Sequence, residues 1–465
     1  MRSLLLTGAF VAGAITGNDG GPAAAASCGT RQGNWRTATA PAGLKTVAHN
    51  AVDMGAAYLA VDPLDSKRMY ASPDARRIVR SLDGGCTWTT VFDLSSLPNQ
   101  PGDSFYTRTA SSYRIYQIVV PHGRAASDGR TVYALADMPP PGVGVTGDLI
   151  NEFPILLAAS TDGGSTWRVP TPPRTPSMPF GAPGCSSYFP QAWIAPAPGH
   201  PGTVYFFCPD DSYADLSVVP PIVKGWQALY RSTDGGASWS VRSQAALALN
   251  LNGGLGPMLD VDAHNPGVLY AGQAGYNAVR KGSTTQFVSS HDGGASFEKL
   301  FGADGWDPDN VGFTALTAAS GPAHLATFGQ AGLCISQDAG RHGTCWKPRL
   351  LDGDPGLITG AVWSATGDRL FVTVAYDEDW QSTGCGEQRA GVLTLKRLRW
   401  HDLGRLPIAA GANGVAITGL VADSRGNGPV MTAQPCVRTN QGGRWAKTSA
   451  PAVLLRYTAA WATAG

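Results

Sequence analysis

Three stretches of this chain crowd carboxylates next to aromatic rings. Residues 301–312 carry Asp304, Trp306, Asp307 and Asp309, and residues 376–390 carry Tyr376, Asp377, Glu378, Asp379 and Trp380. Residues 208–226 carry Asp210, Asp211, Tyr213, Asp215 and Trp226. Aromatic faces stack on pyranose rings and carboxylates accept hydrogen bonds from hydroxyls, so this mixture suits a sugar better than a phosphate. Glycoside hydrolysis needs two carboxylates across the scissile bond, about 5–5.5 Å apart for retention and about 6.5–9.5 Å for inversion. Asp307 and Glu378 are the candidate pair, one from each of two stretches. Arg114, Trp226, Asp304, Trp306, Asp309, Tyr376, Asp377 and Trp380 are the candidate ligand-binding residues. Each also has a plainer reading, as an Asp in a solvated turn or a ring covering a rim. Only the elements that carry these loops can set the distances between them.

Those elements are visible as a repeat. Four segments share one pattern: Ser81-Leu-Asp83-Gly84-Gly85-Cys-Thr87-Trp88, Ser160-Thr-Asp162-Gly163-Gly164-Ser-Thr166-Trp167, Ser232-Thr-Asp234-Gly235-Gly236-Ala-Ser238-Trp239 and Ser290-His-Asp292-Gly293-Gly294-Ala-Ser296-Phe297. Two weaker copies are Ser336-Gln-Asp338-Ala-Gly340, with Thr344-Cys345-Trp346 after a short insertion, and Asn440-Gln441-Gly442-Gly443-Arg-Trp445. The chemistry is that of a turn: Asp accepts from backbone amides further on, and the glycines supply positive φ. Asp83, Asp162, Asp234, Asp292 and Asp338 are therefore read as structural. Each copy lies between two strand-like runs, and upstream of it stand two more, as in Met258-Leu-Asp-Val-Asp262 and Val268-Leu-Tyr270-Ala271. Four strands per repeat make the blade of a β-propeller. The Asp positions step by 79, 72, 58 and 46 residues, and 103 residues then separate Asp338 from Gln441, which leaves room for one eroded blade. The expectation is an all-β chain with one propeller of seven four-stranded blades at 58–450. Residues 27–57 would be a lead-in or closure segment, and 451–465 a tail or closure strand.

Composition agrees and excludes some functions. Gly 59 and Pro 34 in 465 residues are high, while 43% hydrophobic content excludes a disordered chain. With Lys+Arg 35 against Asp+Glu 34, the net charge of +1 offers no field for a nucleic-acid backbone. The His residues form no ligand pair and no cysteine has metal spacing, so neither a metal nor a cofactor is expected. Arg2, the apolar run Leu4 to Ile15 and Ala23-Ala24-Ala25-Ala26-Ser27 have the layout of a secretory signal, with cleavage after Ala26. That run is short of the roughly 20 residues that span a bilayer, and no later stretch reaches it. Export as a monomer follows, with lipid attachment at Cys28 as a lesser alternative.

The repeat resembles the Asp-box, or BNR repeat, of sialidases, xyloglucan-degrading hydrolases, sortilin-type receptors and a photosystem II assembly factor. The resemblance covers about residues 58–450 and implies the propeller without naming a function. It also implies that the Asp-box turns, joining third to fourth strands, share one face. The long connections, about 94–115, 136–154, 170–190, 208–226, 274–287, 301–312 and 376–390, then share the other. A sialidase would need three arginines, the first in an F/Y-R-I-P segment ahead of the first Asp-box. Tyr58-Leu-Ala-Val-Asp62 has no arginine there, and Tyr113-Arg114-Ile115-Tyr116 follows the first box and lacks the Pro. The xyloglucan enzymes use a cleft between two propellers, and this chain has room for one. The reading is a secreted, sialidase-like or glycosidase-like propeller that binds an extracellular ligand, carbohydrate first, with hydrolysis left open. The alternative is a non-enzymatic propeller with a protein partner at the cell surface.

Eight cysteines suit an oxidising compartment. Cys334 and Cys345 flank one turn on adjacent strands. Cys185 and Cys208 lie on long-loop segments of one blade, and Cys385 and Cys436 on the same face of neighbouring blades. Those three bridges are expected, leaving Cys28 with Cys86.

Overall fold

The structure is a computed structural model and describes residues 29–41, 59–97, 114–137, 155–170, 193–208, 213–215, 222–224, 228–244, 259–277, 282–300, 310–317, 322–329, 332–346, 356–375, 385–395, 399–408, 411–423, 428–438, 445–448, 450 and 452–458, except Ala75, Gly123, Arg124, Ala126 and Ala365. Apolar, β-branched runs separated by Gly, Pro and Asp turns fold as antiparallel strands throughout, arranged as seven blades. Blade 1 pairs Leu59–Val61, Met69–Ala71, Arg77–Ser81 and Thr89–Asp93 in chain order. Blade 3 repeats this with Trp193–Pro196, Val204–Cys208, Ala228–Ser232 and Ser240–Gln244. Blade 4 uses Leu259–Val261, Leu269–Asn277, Gly282–Ser290 and Glu298–Lys299. Blade 5 uses Asn310–Thr317, Ala323–Gly329, Gly332–Ser336 and Thr344–Trp346. The eroded blade 6 is complete, with Leu357–Trp363, Arg369–Ala375, Gln388–Thr394 and Arg399–Asp402.

Two blades depart from the pattern. Among the described residues blade 2 has three strands, Arg114–Val119, Val132–Asp137 and Ile155–Ser160, and on the outer side of the third a bridge between Ala159 and Arg168. Blade 7 starts with Gly414–Ala422 and Pro429–Arg438, but its third strand is Val453–Tyr457 and its fourth is the N-terminal Trp35–Thr39, with Thr30–Gln32 outside that. Both closing strands lie outside the 58–450 span read from the repeats. The weak sixth copy is corrected by the same topology. Trp445–Lys447 pairs with Cys436–Arg438 at the end of the second strand, so Asn440–Trp445 does not join a third strand to a fourth.

The core runs between blades as sheet-to-sheet apolar layers. Trp193, Tyr205, Leu229, Leu259 and Leu269 interlock blades 3 and 4, and Phe328, Leu333, Trp363 and Leu370 interlock blades 5 and 6. At the closure, Trp35 is buried, its indole N–H donates to Leu403 O at 3.1 Å, and its ring meets Tyr457 edge-on at 5.2 Å. Inner strands repeat a sequence that the turn pattern hides: Ile358-Thr-Gly360-Ala-Val362 and Ile417-Thr-Gly419-Leu-Val421. A side chain at Gly419 would start 3.0 Å from the Leu59 Cβ of blade 1, so glycine lets neighbouring inner strands approach closely.

Cys334–Cys345 and Cys385–Cys436 are disulfides, as the sequence predicts. Cys86 is also disulfide-bonded; Cys28 and Cys185 lie outside the described residues. No described helix is long and apolar enough to cross a membrane.

Candidate functional site: the two faces of the ring

Antiparallel order assigns the faces. Connections between first and second strands and between third and fourth strands share one face; the remaining connections share the other.

The turn face is built from the Ser-x-Asp-Gly-Gly segments. In blade 2 the Ser160 hydroxyl donates to Asp162 at 2.9 Å and accepts the Gly164 N–H at 2.8 Å. The Thr166 N–H and hydroxyl then donate to the two Asp162 oxygens at 2.9 and 2.6 Å. The Trp167 indole donates to Gly164 O, tying the ring to the turn it closes. Blades 1, 3 and 4 repeat the geometry through Asp83, Asp234 and Asp292. Blade 5 departs from expectation. His342, not Thr344, stands four residues after Asp338, and its amide and ring nitrogen meet the carboxylate at 2.9 and 2.6 Å.

These bonds set the electrostatics. At Asp83 and Asp162 partial burial pushes the carboxyl up, but bonds from the Thr hydroxyl and amide outweigh it and lower it. At Asp234 and Asp292 the hydroxyls of Ser238 and Ser296 hold the carboxyl far below its ordinary range. At Asp338 burial is outweighed by His342, leaving the group at about 2. A carboxylate so fully engaged is ionised and is no proton donor at neutral pH, and its oxygens are occupied by the turn's own donors.

The turns of blades 2, 3 and 4 are also bolted to the preceding blade. Arg80 donates to Gly163 O at 2.7 Å, Arg168 to Gly235 O at 2.6 Å, and Arg242 to Gly293 O at 2.9 Å. Arg456 of blade 7 reaches Ser66 O of blade 1 at 2.7 Å, with Asp423 beside it at 3.4 Å. The turn carboxylates and several glycine carbonyls of this face are thus engaged in closure and seam contacts, while the buried Tyr70 and Tyr133 hydroxyls beside the turns have no hydrogen-bond partner. Sequence reading missed these arginines, which stand at different places in their blades, Arg80 before its turn and Arg168 and Arg242 after theirs.

The opposite face takes the long connections, but the stretch expected as a long loop at 274–287 is mostly strand: Leu269–Asn277 pairs with Gly282–Ser290, leaving only residues 278–281 between them. Asp304, Trp306, Asp307, Asp309, Tyr376, Asp377, Glu378, Trp380 and Trp226 all lie outside the described residues. Arg114 is the first residue of the blade 2 inner strand, in register with Asp137. Beneath this face the inner strands are irregular. Bulges interrupt them between Ile115 and Gln117, Asn310 and Gly312, Ile358 and Gly360, and Ile417 and Gly419. In blades 2, 5 and 6 these fall within the first four residues of the strand, toward the long-loop face. Bulges at a rim re-aim side chains and are frequent beside sites. The wall is also uneven in exposure: Leu59–Val61 and Trp193–Pro196 are buried, whereas Thr359 to Val362 and Gly419 to Ala422 are half-exposed. On the rim of blade 6, Arg389 contacts Glu387 at 3.2 Å and Asp402 at 3.4 Å, one cation shared by two carboxylates. Among the described residues no group of three or more His, Cys, Asp or Glu is placed to hold a metal.

The fold and these two faces define an all-β protein with a single seven-bladed propeller and unequal faces. No protein-family model matches the sequence, and comparison with curated protein sequences finds no match. Solved structures that resemble it include YCF48 bound to D1 peptide, at 13% identity and TM-score 0.46 over 94% of this chain and 99% of that one. An ancestral GH74 enzyme matches at 12% and 0.48, over 86% of this chain and 57% of that one. An α-L-arabinofuranosidase from Fusarium graminearum matches at 13% and 0.41, over 79% and 99%. At these identities and TM-scores the likenesses carry no argument about function.

Proposed function

We propose that this chain is an exported propeller whose Ser-x-Asp-Gly-Gly turns are Asp-boxes and whose long-loop face binds an extracellular carbohydrate. The observation that supports this reading is the division of labour between the faces. The turn carboxylates, hydroxyls and glycine carbonyls are spent on closure and on seams between blades. The other face receives the long connections, in which the sequence sets rings beside carboxylates, above inner strands that bulge and are half-exposed. Concave surface with convergent polar groups and stacking rings is what a sugar requires. Binding is the primary activity on this reading, and Asp307 with Glu378 would supply hydrolysis if the face also cleaves.

A glycan array with the full exported chain tests it. Trp306→Ala and Trp380→Ala should each weaken binding about tenfold or more, the scale of a lost aromatic contact. A reducing-sugar assay, repeated with Asp307→Ala and Glu378→Ala, decides whether cleavage accompanies binding. Silence on every glycan, together with capture of a protein by this face that the same tryptophan variants abolish, would replace this reading with the protein-interaction one.

A further inference from the structure

The connection that leaves blade 6 at Ala375 re-enters it at Gln388, and its return is fastened to the next blade. Cys385 is bridged to Cys436 of blade 7. Gly386 and Val415 exchange both backbone hydrogen bonds, Gly386 N–H to Val415 O at 3.2 Å and Val415 N–H to Gly386 O at 2.8 Å. The Gln388 side-chain amide donates to the same Val415 carbonyl at 3.0 Å. Val415 belongs to the innermost strand of blade 7, whose other edge is paired with Pro429–Arg438. Gly386 therefore occupies the edge that faces the channel. Edge backbone groups are a ready pairing template, and here the chain's own neighbour uses it. Among the described residues no other connection between second and third strands makes such a bridge to the next blade. Both cysteines are buried, packed only with Ala416 in their cluster, so the bond is a standing brace shielded from solvent thiols.

We propose that Cys385, Gly386 and Gln388 are positioning residues for the long-loop face. They carry the blade 6 connection across the seam onto the channel edge of blade 7 and so fix the channel mouth where a ligand sits. The brace itself follows from the geometry; its effect on a ligand rests on the carbohydrate reading above. The second disulfide is the natural control, because Cys334 and Cys345 are register partners within one outer hairpin and join no two blades.

The test compares three variants of the full exported chain: Cys385→Ser with Cys436→Ser, Gly386→Pro, and Cys334→Ser with Cys345→Ser. Gly386→Pro removes the N–H donated to Val415 while leaving the disulfide, so the question survives if the cysteine variant folds poorly. Amide hydrogen exchange at Val415 should rise about tenfold in both brace variants and stay at the wild-type rate in the control. Affinity for the glycan identified on the array should fall about tenfold in the brace variants only. A merely stabilising bridge predicts lower Tm after loss of either disulfide and unchanged affinity after both. Wild-type exchange at Val415 in the brace variants, or faster exchange with unaltered affinity, overturns the proposal. If the wild-type chain binds no glycan, that result counts against the carbohydrate reading, and exchange at Val415 still decides whether these residues hold the channel edge.

Discussion

Within a turn, one hydroxyl does three jobs. Ser160 is buried, donates to Asp162 and accepts the N–H groups of Asp162 and Gly164. Ser160→Ala would strand a buried amide, and a loss of about 1–3 kcal/mol in denaturant unfolding is expected. The blade 5 turn allows the opposite experiment. Ala339 stands at φ 58°, where blades 1 to 4 place glycine, as at Gly84 and Gly163. A β-carbon is disfavoured in that conformation by roughly 1–2 kcal/mol, so Ala339→Gly should stabilise the chain by about 1 kcal/mol after glycine's greater unfolded-state entropy. An unchanged or lower denaturation midpoint would contradict that account. His342 shows how a repeat tolerates exchange: its ring nitrogen reaches the carboxylate oxygen that a hydroxyl reaches elsewhere.

Among the elements, the strand that closes the ring has the most distant partners in sequence. Trp35–Thr39 pairs with Val453–Tyr457 in full register, so the last blade forms only after both chain ends are present. Trp35→Ala removes a buried indole, its bond to Leu403 and its contact with Tyr457, and should cost about 3–5 kcal/mol. If thermal unfolding of that variant matched wild type, the closure would contribute little to the ring. The signals for closure were weak in the sequence because a strand of five residues has no turn motif of its own and the register partner of Trp35, Tyr457, is 422 residues away (457 − 35). The false sixth copy has the same cause: Gly442-Gly443-Arg-Trp445 matches the pattern, and only pairing with Cys436–Arg438 shows which strands it joins.

For the molecule as a whole, five carboxylates held below their ordinary range are distributed from blade 1 to blade 5. A folded-state value below the unfolded one stabilises above the unfolded value, near pH 4, and that stability is lost as pH falls through the folded value. The turn carboxylates should therefore leave Tm unchanged from pH 7 to 5. In that range desolvation of the His122 imidazole, which lowers it, makes Tm fall as the unfolded chain takes up its proton. The carboxylates should then drive a further drop from about pH 4 toward 2, where Asp338 titrates. Asp162→Asn should lower Tm at pH 7 and reduce the acid-dependent part of the drop. An acid profile identical to wild type would show that this turn carries no linked proton.

The repeat, the all-β character, the seven-blade count and the Cys334–Cys345 disulfide were legible because each is local or periodic, and Cys385–Cys436 followed once the blade order set both cysteines on one face of neighbouring blades. Asp and Gly-Gly at fixed spacing fold the same turn wherever they occur, and apolar runs between them can only pair. The candidate loop carboxylates and rings were legible as residue types, but loop geometry depends on what the loop packs against. The pairing of Trp35–Thr39 with Val453–Tyr457, which chose closure among the readings left open for the two ends, the arginine bolts onto Gly163, Gly235 and Gly293, and the brace of Gly386 on Val415 were decided by the tertiary structure. Each joins residues from different blades or opposite chain ends, and no spacing along one blade encodes which neighbour the finished ring will set beside it.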